Sequence, residues 1–203
     1  IGGIANKLIY WNVALFVFPN VFFAILNLFK INCNFLNYVC LDSDPQNLIK
    51  KPWSLITYGF FHADFLHILI NMVFLYFFAR LFLTFFTQKQ LLSLYFTSLL
   101  FSGIVYILAY MLFPSLSNFA AQLVGASGAI MCILFATTTY APMMEIRLLL
   151  LGTVKLWHIA GVYLVLDLIG LPFDNSGGHI AHLSGALFGF IFVLTLFNYL
   201  AMD

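Results

Sequence analysis

Residues 124–130 read VGASGAI, and the serine in the middle of that stretch, Ser127, decides how the rest of the chain is read. Ser127 stands between Ala126 and Gly128, with Gly125 just before them, at the head of an apolar run. A hydroxyl in hydrocarbon needs a partner, because water is not there to supply one. A serine framed by glycines is therefore either a close-packing contact between helices or part of a functional site. The surrounding sequence has to choose.

The chain has 203 residues, of which 64% are hydrophobic and 7% charged. Soluble domains carry roughly a quarter charged residues, so this chain cannot cover its own surface with polar groups and belongs in a bilayer. Its apolar runs are about 20 residues long and lack the period-two alternation of barrel strands. The expected fold class is an all-α membrane protein with six spans. They run from Leu8 to Phe29, Leu66 to Phe86, Leu91 to Phe113, Ser127 to Ala141, Leu148 to Leu171 and His179 to Leu200. The segment Lys30–Phe61 is too polar to span, and Pro114–Leu123 and Pro172–Gly178 read as loops. No repeat or flexible linker divides the chain, so residues 1–203 are read as one domain. The first run lacks a small-residue cleavage site and is long enough to span, so it is expected to be a retained helix.

Basic residues set the direction. Lys7, Arg80, Lys89, Arg147 and Lys155 fall on the amino-terminal side, and Lys30, Lys50 and Lys51 on the other. The excess favours a cytoplasmic amino terminus, with loops one, three and five facing outward. The net charge of +1 gives no nucleic-acid footprint. The expected partners are the lipid bilayer and membrane-spanning proteins; oligomeric state stays open. Cys33 and Cys40 share a loop and would pair if it faced an oxidising compartment, whereas Cys132 lies in an apolar run.

On this layout every even-numbered span begins at the outer side. The second brings His62, His67 and Asn71, the fourth Ser127, and the sixth His179 and His182, all to one depth just below the surface. A serine becomes a nucleophile when a base takes its proton, and His182 can be that base. His67 and Asn71 are four residues apart, so they share a helix face from which donors can aim at one point. Ser127 opens a helix, where backbone N–H groups are unpaired. Gly185 and Gly189 lie on the His182 face of the sixth span and form a small-residue stripe that lets helices pack closely.

These residues together resemble the rhomboid intramembrane serine proteases. The resemblance rests on Gly125-Ala126-Ser127-Gly128, on His67 with Asn71, and on His182 followed by Gly185 and Gly189, in that order over nearly the whole chain. It implies a rhomboid-like bundle with a membrane-embedded first loop that includes Trp53, and a fifth helix acting as a substrate gate. It also implies Ser127 as nucleophile, His182 as general base, and an oxyanion hole of His67, Asn71 and the Ser127 backbone N–H. Gly125, Gly128, Met131, Gly185 and Gly189 pack closely around the site. No cofactor or metal is implied. The chain departs from the family pattern at Ser54, where an arginine often follows the tryptophan, at Leu83 and Thr84, where a glutamate is common, and at Met131, where an aromatic ring often stacks on the histidine.

Alternative readings attach to the same residues. A rhomboid relative that binds membrane helices without cutting them would lack Ser127 or His182, and both are present. A metal or haem protein built on His62, His67, His179 and His182 is another, since His179 and His182 have i, i+3 spacing. His62 reads as a loop anchor, His179 and His158 as interfacial groups. Asp167, near the outer end of the fifth span and at about the depth of the other polar groups, could orient His182 as the third member of a triad; the family resemblance implies a Ser–His dyad without a carboxylate, which leaves Asp167 an interfacial or helix-pairing role.

Overall fold

The computed structural model describes residues 3–31, 34–117, 120–148, 152–173 and 175–200. Helix α1 (Gly3–Leu28) leads into a long first loop. That loop holds α2 (Leu36–Val39), β1 (Leu41–Asp42), α3 (Pro45–Lys50), α4 (Ser54–Thr57) and a 3₁₀ turn at Tyr58–Phe60. Then come α5 (Phe65–Phe82), α6 (Gln88–Leu112), α7 (Pro114–Ser117), β2 (Gln122–Leu123) and α8 (Ser127–Tyr140). A hairpin of β3 (Glu145–Leu148) and β4 (Gly152–Lys155) precedes α9 (Leu156–Gly170) and α10 (Ser176–Leu200).

Local chemistry explains where the helices start. Asp64 accepts from the His67 N–H and caps α5, while Thr87 and Gln90 close a capping box on α6. Helices α1, α5, α6 and α10 are long and apolar enough to cross a membrane. Helices α8 and α9 have 14 and 15 residues, about 21–23 Å at 1.5 Å per residue, which is less than a hydrocarbon core of about 30 Å. Helix α8 tolerates its shortness because protein surrounds it. Residues Gly128–Leu134, Ala136 and Thr137 are all buried, against α5, α6 and α10.

Several expected boundaries differ. The sequence places the fifth span at Leu148–Leu171, but its helix begins at Leu156, and Glu145–Leu148 pairs with Gly152–Lys155 as the β3–β4 hairpin ahead of it. Gly152 has φ +71°, a left-handed conformation suited to reversing the chain, and β-branched Thr153 and Val154 follow it. The second span ends at Phe82, four residues early, and the sixth begins at Ser176, one turn before His179.

Loop one sinks into the bundle. The Tyr58 hydroxyl donates to the Leu99 carbonyl (2.8 Å), and Leu99 is near the middle of α6. A Cβ at Gly59 would stand 2.3 Å from the Leu99 side chain, so only glycine lets the loop pass this close. The Tyr95 hydroxyl donates to Gly59 O (3.1 Å) and accepts from Asn12 of α1 (3.2 Å). The loop is stapled a second time, by a strand pair. Strand β1 pairs antiparallel with β2 (Leu41 with Leu123, Asp42 with Gln122). Asp42 there accepts from Lys51 and from Gln122. Trp53 is half exposed and donates to Tyr38 O (2.8 Å). Cys40 is a buried free thiol; Cys33, its expected partner, lies outside the described residues.

Candidate active site

Ser127 is the first residue of α8. Gly125, two residues earlier, has φ +120° and donates its N–H to Tyr58 O (2.8 Å), so the embedded loop fixes the approach to the serine. No side chain caps α8 at Ala126. The first-turn N–H groups of the helix are therefore left for something else to satisfy.

Helix α10 comes against α8 backbone to backbone. A Cβ at Gly185 would stand 2.0 Å from Gly128 O, and one at Gly189 would stand 2.2 Å from Cys132 O. The expected small-residue stripe is thus the α8–α10 contact itself, and it brings the turn carrying His182 beside the turn carrying Ser127. Gly128 in turn would place a Cβ 3.1 Å from Ala181 O. Met131, one turn after Ser127, is buried.

His67 sits in the first turn of α5. Its Nδ1 accepts the Ala63 N–H (3.4 Å), which leaves the ring proton of the neutral imidazole on Nε2. That Nε2 faces Gly125, where a Cβ would come within 2.7 Å of it and 3.8 Å of Ser127 Oγ. A proton-bearing nitrogen therefore points into the space beside the serine. Asn71, one turn on and buried, donates from Nδ2 to His67 O (2.8 Å), and its Oδ1 has no partner among the described residues.

Ser127, His67, Asn71 and His182 all line one cavity of about 590 Å³. Its deeper wall is apolar, with Ile70, Phe74, Phe78, Ile130, Met131 and Tyr163, and Gln122 and Asn175 stand at a polar edge. Sequence reasoning had no signal for Tyr163, Gln122 or Asn175, because nothing in their spacing marks them. Ser127 and His182 make no hydrogen bond to each other among the described residues. Catalytic hydrogen bonds are often loose without substrate and tighten only in its presence.

Asp167 pairs α9 with α10, and it does so through the imidazole of the candidate base. Its Oδ1 accepts from His182 Nδ1 (2.8 Å) and from His179 Nδ1 (2.8 Å), and the residue is 4% exposed. These three side chains also form the set that could hold a metal, with ligand atoms within 4.8 Å of one another. The four-histidine cluster is not assembled. His62 and His67 meet edge to face (5.0 Å between centroids), separate from the Asp167–His179–His182 group. His62 is buried in the loop before α5. Burial first, and then His67, push its imidazole down to about 3, so it stands neutral. His158 lies tilted beside Trp157 (3.9 Å between ring centroids) at the start of α9 and does not line the cavity.

Long apolar helices around a short buried one, with a loop sunk into the bundle, define an integral membrane protein of the all-α class. The Rhomboid domain model matches residues 50–199, and the chain belongs to the rhomboid family. It is also similar to the presenilin-associated rhomboid-like protein A, mitochondrial, of Danio rerio. The two are 29% identical over 134 residues, which cover 64% of this chain and 34% of that protein. The chain spans about a third of that relative's length.

Proposed function

We propose that the chain is an intramembrane serine endopeptidase that cuts peptide bonds in or next to membrane-spanning segments. The observation that carries this reading is the shared cavity. A serine at an uncapped helix start, an imidazole on the closely packed neighbouring helix, and an Nε2–H donor beside the serine all face the same space.

His182 Nε2 takes the Ser127 Oγ proton as Oγ attacks the scissile carbonyl carbon. The carbonyl oxygen gains the electron pair of the broken π bond. His67 Nε2–H, the Asn71 carboxamide and the Ser127 backbone N–H stabilise that negative charge as it forms. His182 then gives its proton to the leaving amine. Water attacks the acyl-enzyme with His182 again as base, and Ser127 is regenerated. A second recess of about 610 Å³ shares Gln122 and Asn175 with the first, which offers that water a polar path.

Helical peptide bonds are shielded by their own hydrogen bonds, so the substrate must unwind locally. Segments carrying helix-weakening residues such as glycine are favoured. The apolar wall at Phe74, Phe78 and Tyr163 suits an apolar side chain next to the scissile bond. The site opens on the side of the membrane opposite the amino terminus, following the distribution of Lys and Arg.

The test is labelling of Ser127 by a fluorophosphonate and cleavage of a transmembrane substrate, compared with Ser127→Ala and His182→Ala. Both variants should be inactive while still folding. A second reading, a metal site, is favoured by the Asp167–His179–His182 set alone. Metal content of the purified protein and the response of cleavage to a chelator separate it. Activity lost with the chelator and restored by zinc would support the metal.

A further inference from the structure

We infer that Asp167 is a positioning residue for His182: its carboxylate holds the imidazole in the tautomer that leaves Nε2 free to act as base. The kinetic part of this inference rests on the protease reading; the tautomer part does not. Helix α9 is lightly attached, with only Leu156, Ala160 and Asp167 buried along it. Asp167 is its one ionisable buried group. An ionised carboxylate removed from water needs donors, and Oδ2 has none among the described residues. Its hydrogen bonds all go through Oδ1, to the two imidazoles.

A carboxylate only accepts, so both Nδ1 atoms must donate. For a neutral His182 that puts the proton on Nδ1 and the lone pair on Nε2, the form a general base requires. His179 comes from the preceding turn of the same helix. Its ring lies against Gly170, where a Cβ would stand 2.3 Å from Nε2, so glycine at the end of α9 makes room for it. His179 steadies Asp167 from the far side and does not line the cavity. The dyad is thus completed by a carboxylate from a third helix.

Two measurements test the inference. The first is steady-state cleavage by wild type, Asp167→Asn and His179→Ala in one lipid, with melting curves. Asp167→Asn keeps the volume of the side chain but removes its charge and replaces one acceptor oxygen by an NH2 donor, which can face either imidazole Nδ1. It should lower kcat by at least about 100-fold, with KM within about threefold and melting unchanged, since losing a triad aspartate costs up to about 10⁴ in kcat. His179→Ala should stay within about tenfold of wild type. The second is ¹⁵N-histidine NMR, which needs no activity. His182 should be Nδ1-protonated in wild type and in inactive Ser127→Ala, and should become a mixture of tautomers in Asp167→Asn. If wild type neither cuts nor reacts with the fluorophosphonate, the protease reading fails, and the NMR result still decides the role of Asp167. A well-folded Asp167→Asn with kcat within tenfold of wild type, or with His182 unchanged in the NMR spectrum, overturns the inference.

Discussion

Replacing Gly185 by alanine perturbs the contact that brings the serine and histidine helices together. The added Cβ would sit 2.0 Å from Gly128 O and 2.9 Å from Gly128 C, both backbone atoms of α8. A rotamer change cannot relieve that contact. Even a compressed contact of about 3.0 Å requires α10 to withdraw by about 1 Å, and an unstrained one of about 3.5 Å requires about 1.5 Å. The push acts where it matters, because Gly128 is bonded to Ser127 and Gly185 lies one turn from His182. A misplacement of about 1 Å costs on the order of 10² in rate. Overpacking a well-filled contact costs about 1–3 kcal/mol of stability. Gly185→Ala should therefore lower kcat about 100-fold and lower the melting temperature while the protein still folds. Gly161→Ala, where a Cβ meets nothing within 4 Å, is the control and should behave as wild type. The assay is cleavage of a fluorogenic transmembrane substrate in proteoliposomes, with thermal melting of the same samples. Wild-type kcat and melting in Gly185→Ala would refute the geometry of this contact.

Two further outcomes follow from the site and its orientation. His67→Ala and Asn71→Ala should each lower kcat by about 10²–10³, with a smaller change in KM, because an oxyanion donor acts mainly on the transition state; wild-type kcat in both folded variants would put the oxyanion hole elsewhere. In a cysteine-free background, Ser115→Cys should react with a membrane-impermeant reagent added on the side opposite the amino terminus and Gln88→Cys should not, and the reverse pattern would turn the protein over.

Much of this was legible in the sequence, for physical reasons that also mark where legibility ended. Hydropathy identifies the spans because lipid demands it of every turn, and the serine motif stands out because polar groups are rare there. The start of the fifth helix was misread because residues 148–151 are all leucine, and hydropathy does not tell helix from hairpin; Gly152 was the signal against a helix. The embedding of loop one came from the family resemblance and not from the loop's own residues, since a tyrosine such as Tyr58 becomes an anchor only when the Leu99 carbonyl stands opposite it. Asp167 was placed at the right depth. Its facing depends on how α9 is rotated against α10, and periodicity within one helix carries no information on that.

The most direct test of the account is the reaction of Ser127 with a fluorophosphonate in the lipid-reconstituted protein, with adduct position read by mass spectrometry. A single adduct on Ser127 is expected in wild type, none in Ser127→Ala, and labelling slowed by orders of magnitude in folded His182→Ala. Unchanged labelling in His182→Ala, or an adduct at another serine that persists in Ser127→Ala, would contradict it.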